Sequence, residues 1–467
     1  MLTPSMIDGH SSTTEAIVEH ALHRANETGR SQLVVCTSGL SACADPFDWW
    51  VRDRAAFAEA SYVAGPLEVD ALCALGTARV LQSSHPRPVA ALADALRNTM
   101  PDVIADEATR SVGGPVAIGG FAFDAANERA PEWAAFPSGR LVIPQVLIRR
   151  QRGVCTLTVA VEASPGADAR SLVDRLTAAL ADRPPTASPA THPTAGTYES
   201  GTAAAWFTAV RCAAADVRAG RFAKLVLARR LRVSLRGQFS VDAALRRMRA
   251  ADPEAFVFAL AREGRTFVGA SPERLVTLTN GQFAVDALAG TTRRSTTPDE
   301  DVRLAAALLS DPKERAEHTT VVDAIRALLA DVSEEMIVPL EPVLRTMRNV
   351  HHLWTPIRGR IDARNGVLDL VARLHPTPAV AGWPRREAMT AIREREGFDR
   401  GWYAGPVGWV DANGEGTFTV AIRSALVGPD DALLYAGCGI MGDSEAAAEL
   451  AETELKFRTM TAALGLA

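Results

Sequence analysis

The amino-acid sequence predicts an α+β fold in which largely antiparallel sheets are covered by helices on their outer faces. Short runs with the two-residue alternation of strands recur along the chain, and two long helical segments interrupt them in the second half. No strand–helix–strand rhythm and no internal repeat suggests a parallel, doubly wound sheet. At 467 residues, 47% hydrophobic and 22% charged, the chain has ample material for a core.

The first part of the chain is rich in alanine. Helices are expected there over Pro66–Leu81 and Pro88–Asn98, and strands over Val116–Phe123, Leu141–Arg149 and Thr156–Val161. Residues 183–200, RPPTASPATHPTAGTYES, lack hydrophobic periodicity and read as a linker or surface crossing. It separates an N-terminal part of the fold, 1–200, from a C-terminal part, 201–467. Beyond it, a helix is expected over Ala203–Ala219 and strands over Phe222–Val233 and Ala255–Ala261. Thr266–Ala270 and Arg274–Thr279 suggest a hairpin around Ser271 and Pro272, and further strands are expected at Gly405–Val410, Thr417–Ser424 and Ala432–Ala436. The long helices fall near Pro312–Asp331 and Ser444–Leu464.

The formal net charge of −5 and pI near 6.0 give no bulk attraction to nucleic acid or an anionic membrane, so an anionic ligand must be held by local donors. No window approaches the roughly 18 uninterrupted apolar residues of a membrane span. The first twenty residues, which include Asp8 and Glu15, do not read as a signal peptide. Six cysteines without a CxxC suggest buried thiols in a reducing cytoplasm.

The first long helix opens SDPKERAEH. Ser310 or Asp311 can cap it, and Pro312 sits where a missing N–H costs nothing. Val321, Val322, Ile325, Leu328 and Leu329 give it a buried stripe. Glu314 and Glu317, three apart, share a face. The last helix, with Ser444 as its candidate cap, repeats the device: Glu449 and Glu452 are three apart, and Lys456 lies one turn on. Facing one another, two such helices would offer up to four carboxylates and a cation to one pocket, and hard carboxylate oxygens suit Mg²⁺. The same spacing is common on solvated helix faces, and Glu452 with Lys456 is also an ordinary stabilising pair. Spacing alone leaves both readings open.

The blocks around these pairs carry more. ASPERL (Ala270–Leu275), AGT (Ala289–Thr291), DPKERAEH (Asp311–His318), LHPTPAVAG (Leu374–Gly382), GWYAGPVGW (Gly401–Trp409), FTVAIR (Phe418–Arg423), AGCGI (Ala436–Ile440) and ETELK (Glu452–Lys456) resemble those of chorismate-utilising enzymes. They do so in the same order and at compatible spacing, over roughly residues 203–464. That family includes anthranilate, aminodeoxychorismate, isochorismate and salicylate synthases. The resemblance implies one α+β unit: a two-layer, largely antiparallel β-sandwich with outer helices and the site between the sheets. It further implies a monomer and Mg²⁺ held mainly by Glu317 and Glu452, with Glu314 and Glu449 nearby or acting through water.

Lys224, on the strand FAKLVLARR, resembles the lysine of the family members that use water, which ammonia-using members lack. It alternates with Val226 and Ala228 and so faces with small apolar residues. Loss of hydration there favours the neutral amine of a general base, although strand lysines are otherwise commonly solvated or edge-protecting. Glu273, in the SPE turn, matches the general acid; a carboxyl can serve so near neutral pH only where burial or negative neighbours keep its proton on. The resemblance thus implies an isochorismate synthase, in which Lys224 deprotonates water for attack at C2 of chorismate and Glu273 protonates the departing C4 hydroxyl. Ala379 in HPTPA, where salicylate synthases tend to carry Thr, argues that the reaction stops at isochorismate.

Tyr403 and Arg423 match residues that hold the enolpyruvyl carboxylate. Gly290, Thr291, Gly437 and Gly439 match donors near the substrate, His352 matches a pocket histidine or is a satisfied core histidine, and Lys456 balances the glutamates. Cys438 replaces the more usual Ala, and AGTTRRS carries an extra Thr292. A salicylate synthase, or a catalytically silent chorismate-binding homologue, are the alternatives; the complete set Lys224, Glu273, Glu317 and Glu452 argues against the latter. The product would feed siderophore, salicylate-derived or menaquinone biosynthesis.

Overall fold

The computed structural model describes residues 4–40, 45–180, 194–236, 239–347 and 350–466. Within them, a sheet of thirteen strands faces a sheet of ten. Pairing in the described residues is antiparallel except where Leu33–Val35 runs parallel to Val103–Ala105. Strands from both parts of the chain share each sheet: Phe256–Arg262 pairs with Glu59–Ala64, and Pro406–Asp411 with Val116–Phe121.

The larger sheet is buried on both faces. Along Phe256–Arg262, Phe258 and Leu260 enter a core shared with Leu275, Val276 and Phe418 of the smaller sheet. Val257 and Ala259 enter a second core with Trp50, Leu245 and Phe457 of the covering helices. One strand therefore serves two apolar layers and reads as a continuous apolar run, and fully burying a side chain such as Phe258 contributes about 2 kcal/mol. Among the described residues no helix is long and apolar enough to cross a membrane. Cys212 is exposed, contrary to expectation, while Cys73, Cys155 and Cys438 are buried.

Several elements lie where the periodicity expects them, among them strands Val154–Ala163, Lys224–Arg236 and Asp431–Ile440 and helices Pro88–Thr99, Ala203–Arg218, Pro312–Leu329 and Ala446–Leu464. The expected helix over Pro66–Leu81 is absent. Pro66–Glu68 is one 3₁₀ turn, and Asp70–Leu75 and Arg79–Ser83 are strands. Ala71–Leu75 pair with Ala60–Ala64 and are buried, a long-range gain that overrides the tenths of a kcal/mol per residue in Ala and Leu helix propensity, roughly speaking. The expected strand Leu141–Arg149 is two, Gly139–Ile143 and Val146–Gln151, in different sheets. Pro144, which has no N–H to donate, stands between them. Residues 183–193 of the expected linker lie outside the described residues, and Thr194–Ser200 is an edge strand on Lys224–Arg236.

Two further corrections shape the interior. The expected hairpin around Ser271 and Pro272 does not form, because Arg265–Ser271 belongs to the larger sheet and Arg274–Thr279 to the smaller. The expected strand Thr417–Ser424 likewise divides into Gly416–Val420 in the smaller sheet and Ser424–Val427 in the larger. The chain thus crosses between sheets at 271–273 and again at 421–423, where Arg423 takes a left-handed φ of 51°. The crossings are bonded to each other. Val420 N and Thr419 Oγ1 donate to Glu273 O at 3.0 and 2.6 Å, Ser271 Oγ donates to Val420 O at 2.5 Å, and Ala270 N donates to Arg423 O at 3.0 Å.

Candidate active site

The paired crossings open onto a cavity bounded by strands Lys224–Arg236 and Asp431–Ile440 and by helices Pro312–Leu329 and Ala446–Leu464. Its lining includes Lys224, Glu273, Gly290, Thr291, Glu317, His352, Ala379, Tyr403, Arg423, Gly437, Gly439, Glu452 and Lys456. Of the residues singled out from sequence, Glu314 and Glu449 stand outside the lining.

Local chemistry sets the two helices. Asp311 caps the first, accepting from Lys313 N at 2.8 Å and Glu314 N at 3.0 Å, with Pro312 in its first turn. One turn on, buried His318 is pinned on both ring nitrogens, 3.1 Å from Ala289 O and 2.8 Å from Thr355 Oγ1. That clamp fixes the helix against strand Gln282–Arg293, so Glu317 reaches the cavity and Glu314 accepts from Thr291 N at 2.9 Å. The last helix starts after Glu445 without a side-chain cap; Ser444, the expected cap, accepts from Met441 N at 3.0 Å instead. Lys456 Nζ donates to Glu452 Oε1 at 2.6 Å and to Gly437 O at 2.5 Å, which ties this helix to strand Asp431–Ile440.

Lys224 is 2% exposed, and its Nζ lies 2.6 Å from Glu317 Oε1. Val226 shares the cavity with it, whereas Ala228 does not. Gly439 makes room for the amine. A Cβ there would stand 2.6 Å from Lys224 Cε and 3.0 Å from Glu317 Oε1. Gly439→Ala is therefore expected to displace the tip of Lys224 and lower kcat by about ten- to a hundredfold. The obstacle is the end of a flexible side chain, so Tm should move by only a few degrees, roughly. Steady-state kinetics with a thermal melt checks both, and an unchanged kcat would show that the amine's position is unimportant.

Glu273 is 4% exposed, and its carboxyl is pushed up to about 8 by burial first and then by Asp286, against the pull of Lys224. Asp286, itself buried, is held by Arg345 Nη1 at 3.1 Å and Trp354 Nε1 at 3.0 Å. Burial, then Arg423 and Lys456, drive His352 down to about 3, so its imidazole is neutral. Its Nδ1 lies 2.8 Å from Thr291 Oγ1, while its buried Nε2 has no hydrogen-bond partner within the described residues. Tyr403 stacks on Tyr435 at 5.1 Å between centroids, and burial pushes its hydroxyl up to about 12, which keeps it a donor.

The carboxylates divide by position. Burial pushes Glu314 and Glu449 up, and Glu317 and Glu452 add to it. For Glu452 burial is outweighed by Lys456, Arg423 and Lys224, which hold it below the usual range. Among the described residues no three ligand-type side chains stand together as a ready-made metal cage. Two carboxylates from two helices at one cavity do fit a hard cation that completes its shell with water and ligand oxygens, as Mg²⁺ does.

Sequence reasoning missed two groups here. Arg400 lines the cavity, buried with Glu396, to which it donates at 2.8 and 2.5 Å. Asp286 was the other; an acidic residue inside the apolar run FAVDALAG was the available signal.

The pattern described as chorismate binding enzyme matches residues 20–465. The chain is 42% identical over 360 residues to the salicylate biosynthesis isochorismate synthase of Pseudomonas aeruginosa, covering 76% of this chain and 75% of that protein. It is 33% identical to isochorismate synthase MenF of Bacillus subtilis, covering 96% and 97%. The solved structure of MenF, the menaquinone-specific isochorismate synthase from Escherichia coli, superposes with a TM-score of 0.78 at 23% identity, covering 96% of this chain and 100% of that one. With the fold, the crossings and the cavity they enclose, these matches show that the chain belongs to the chorismate binding enzyme family.

Proposed function

We propose that the chain converts chorismate to isochorismate, with Lys224 as general base and Glu273 as general acid. The observation that carries this reading is a buried amine and a buried, proton-holding carboxyl facing one cavity. Relatives named isochorismate synthases, matched over most of the chain, support it.

Lys224 Nζ takes a proton from water as its oxygen bonds to C2. The ring double bonds shift, the C4–O bond breaks, and Glu273 gives its proton to the departing oxygen, which leaves as water. Arg423 and Tyr403 hold the enolpyruvyl carboxylate, a fork and a hydroxyl that stays protonated. His352 Nε2, Thr291 and the backbone at Gly290, Gly437 and Gly439 orient the ring. Glu317 and Glu452 would hold Mg²⁺, with Glu314 and Glu449 supporting them; bound there, the ion supplies charge neutralisation for the ring carboxylate. Ala379 leaves a small apolar wall, which favours a reaction that ends at isochorismate.

Chorismate and Mg²⁺ are incubated with the purified chain, with and without chelator, and the products resolved by liquid chromatography. Isochorismate without pyruvate, lost on chelation, is the expected result. Salicylate with pyruvate would overturn the proposed end point, and no product even with ammonium would sink the reaction itself.

A further inference from the structure

We propose that a second cleft, further along strand Lys224–Arg236, binds a small aromatic carboxylate whose presence is felt in the catalytic cavity. The cleft, of about 400 Å³, lies between that strand, the start of helix Ala203–Arg218 and the end of helix Arg385–Glu396. Its apolar wall is made by Trp206, Ala209, Leu227 and Phe398. Arg229, Arg230, Arg232 and Arg395 surround it, against Glu199 and Glu396. The first three arginines are engaged with Glu454, Glu132 and Asp431, so they supply a positive field rather than free donors.

Two residues that line the cleft each carry a buried donor atom with no acceptor within the described residues. Trp206 is 7% exposed, and its buried indole N–H is unpartnered. Arg395 binds Asp216 through Nη2 and leaves its buried Nη1 unpartnered. Buried donors without acceptors are disfavoured and rare. Oxygen acceptors on a flat apolar body are their complement: a carboxylate for the two N–H groups, an aromatic ring for Trp206, Leu227 and Phe398. An inorganic anion lacks the apolar half of that match.

The cleft is wired to the catalytic cavity. Glu396, on its wall, accepts from Ala228 N at 2.7 Å and from Arg400 at 2.8 and 2.5 Å. Arg400 lines the catalytic cavity and donates to Val226 O at 3.0 Å, two residues from Lys224. A close-packed, fully bonded link of this kind transmits displacement rather than absorbing it.

The probe is benzoate, titrated calorimetrically into the full-length chain. Saturable binding with a Kd below about 1 mM is expected, and Trp206→Phe and Arg395→Gln should each weaken it about tenfold while turnover without benzoate stays within about twofold. Benzoate should lower turnover at saturating chorismate. The titration needs no turnover, so its outcome is separate from that of the proposed reaction. The proposal is overturned if binding does not saturate by about 10 mM, if both variants bind as the parent does, or if inhibition is purely competitive with chorismate, which places benzoate in the catalytic cavity.

Discussion

Lys224→Ala is expected to lower kcat by about 10³–10⁴-fold, the upper range for losing a positioned general base. The amine is buried, has a fixed partner in Glu317, and is backed by a glycine whose missing Cβ leaves its path clear. No neighbouring basic group can substitute: His352 is driven down to about 3, and Lys456 Nζ is engaged by Glu452 Oε1 and Gly437 O. A small primary amine added to the variant should restore part of the rate, because the deletion leaves space of that size. Retention of more than about a tenth of the parental kcat would remove Lys224 from the role of base.

Glu273→Gln is the second large effect, with kcat down by about 10²–10⁴-fold. The amide keeps the shape and cannot deliver a proton. The parent's rate should fall as pH rises through about 8, where Glu273 loses its proton among Asp286, Lys224 and Arg345, and the residual rate of Glu273→Gln should lack that descent. Stability follows the same group. The native state keeps the proton that the unfolded chain releases near the ordinary value of 4.5, so between about 4.5 and 8 the folded form binds more protons and loses stability as pH rises. Above that window the amide variant should be the more stable of the two, as read by thermal melts across pH. Parallel pH profiles for parent and variant would falsify the assignment.

Much of this was legible in the sequence because it is local. The Asp311 cap, the Pro312 start and the i, i+3 glutamates need only a helix, and ordered blocks placed Tyr403, Arg423 and Lys456 at one site. What escaped was non-local. Ala71–Leu75 has helix-forming residues but a strand's partners, and nothing in ASPERL shows that the residues before and after Pro272 belong to different sheets. Buried cations such as Arg400 are hidden for a related reason: arginine is usually exposed, and the Glu396 that satisfies it declares nothing at the level of residue type.

The paired crossings also set when the active site can come into being. Ser271 and Val420, joined through a hydroxyl, are 149 residues apart, and Thr419 and Glu273 are 146 apart. Contacts between such distant positions close large loops and form slowly. Each sheet can gather its own strands while Glu273 and Arg423 are still unplaced, because both residues sit on spans that exist only between docked sheets. During refolding, then, catalytic activity should return after the bulk of the strand signal, and its lag measures the time the two sheets take to find each other.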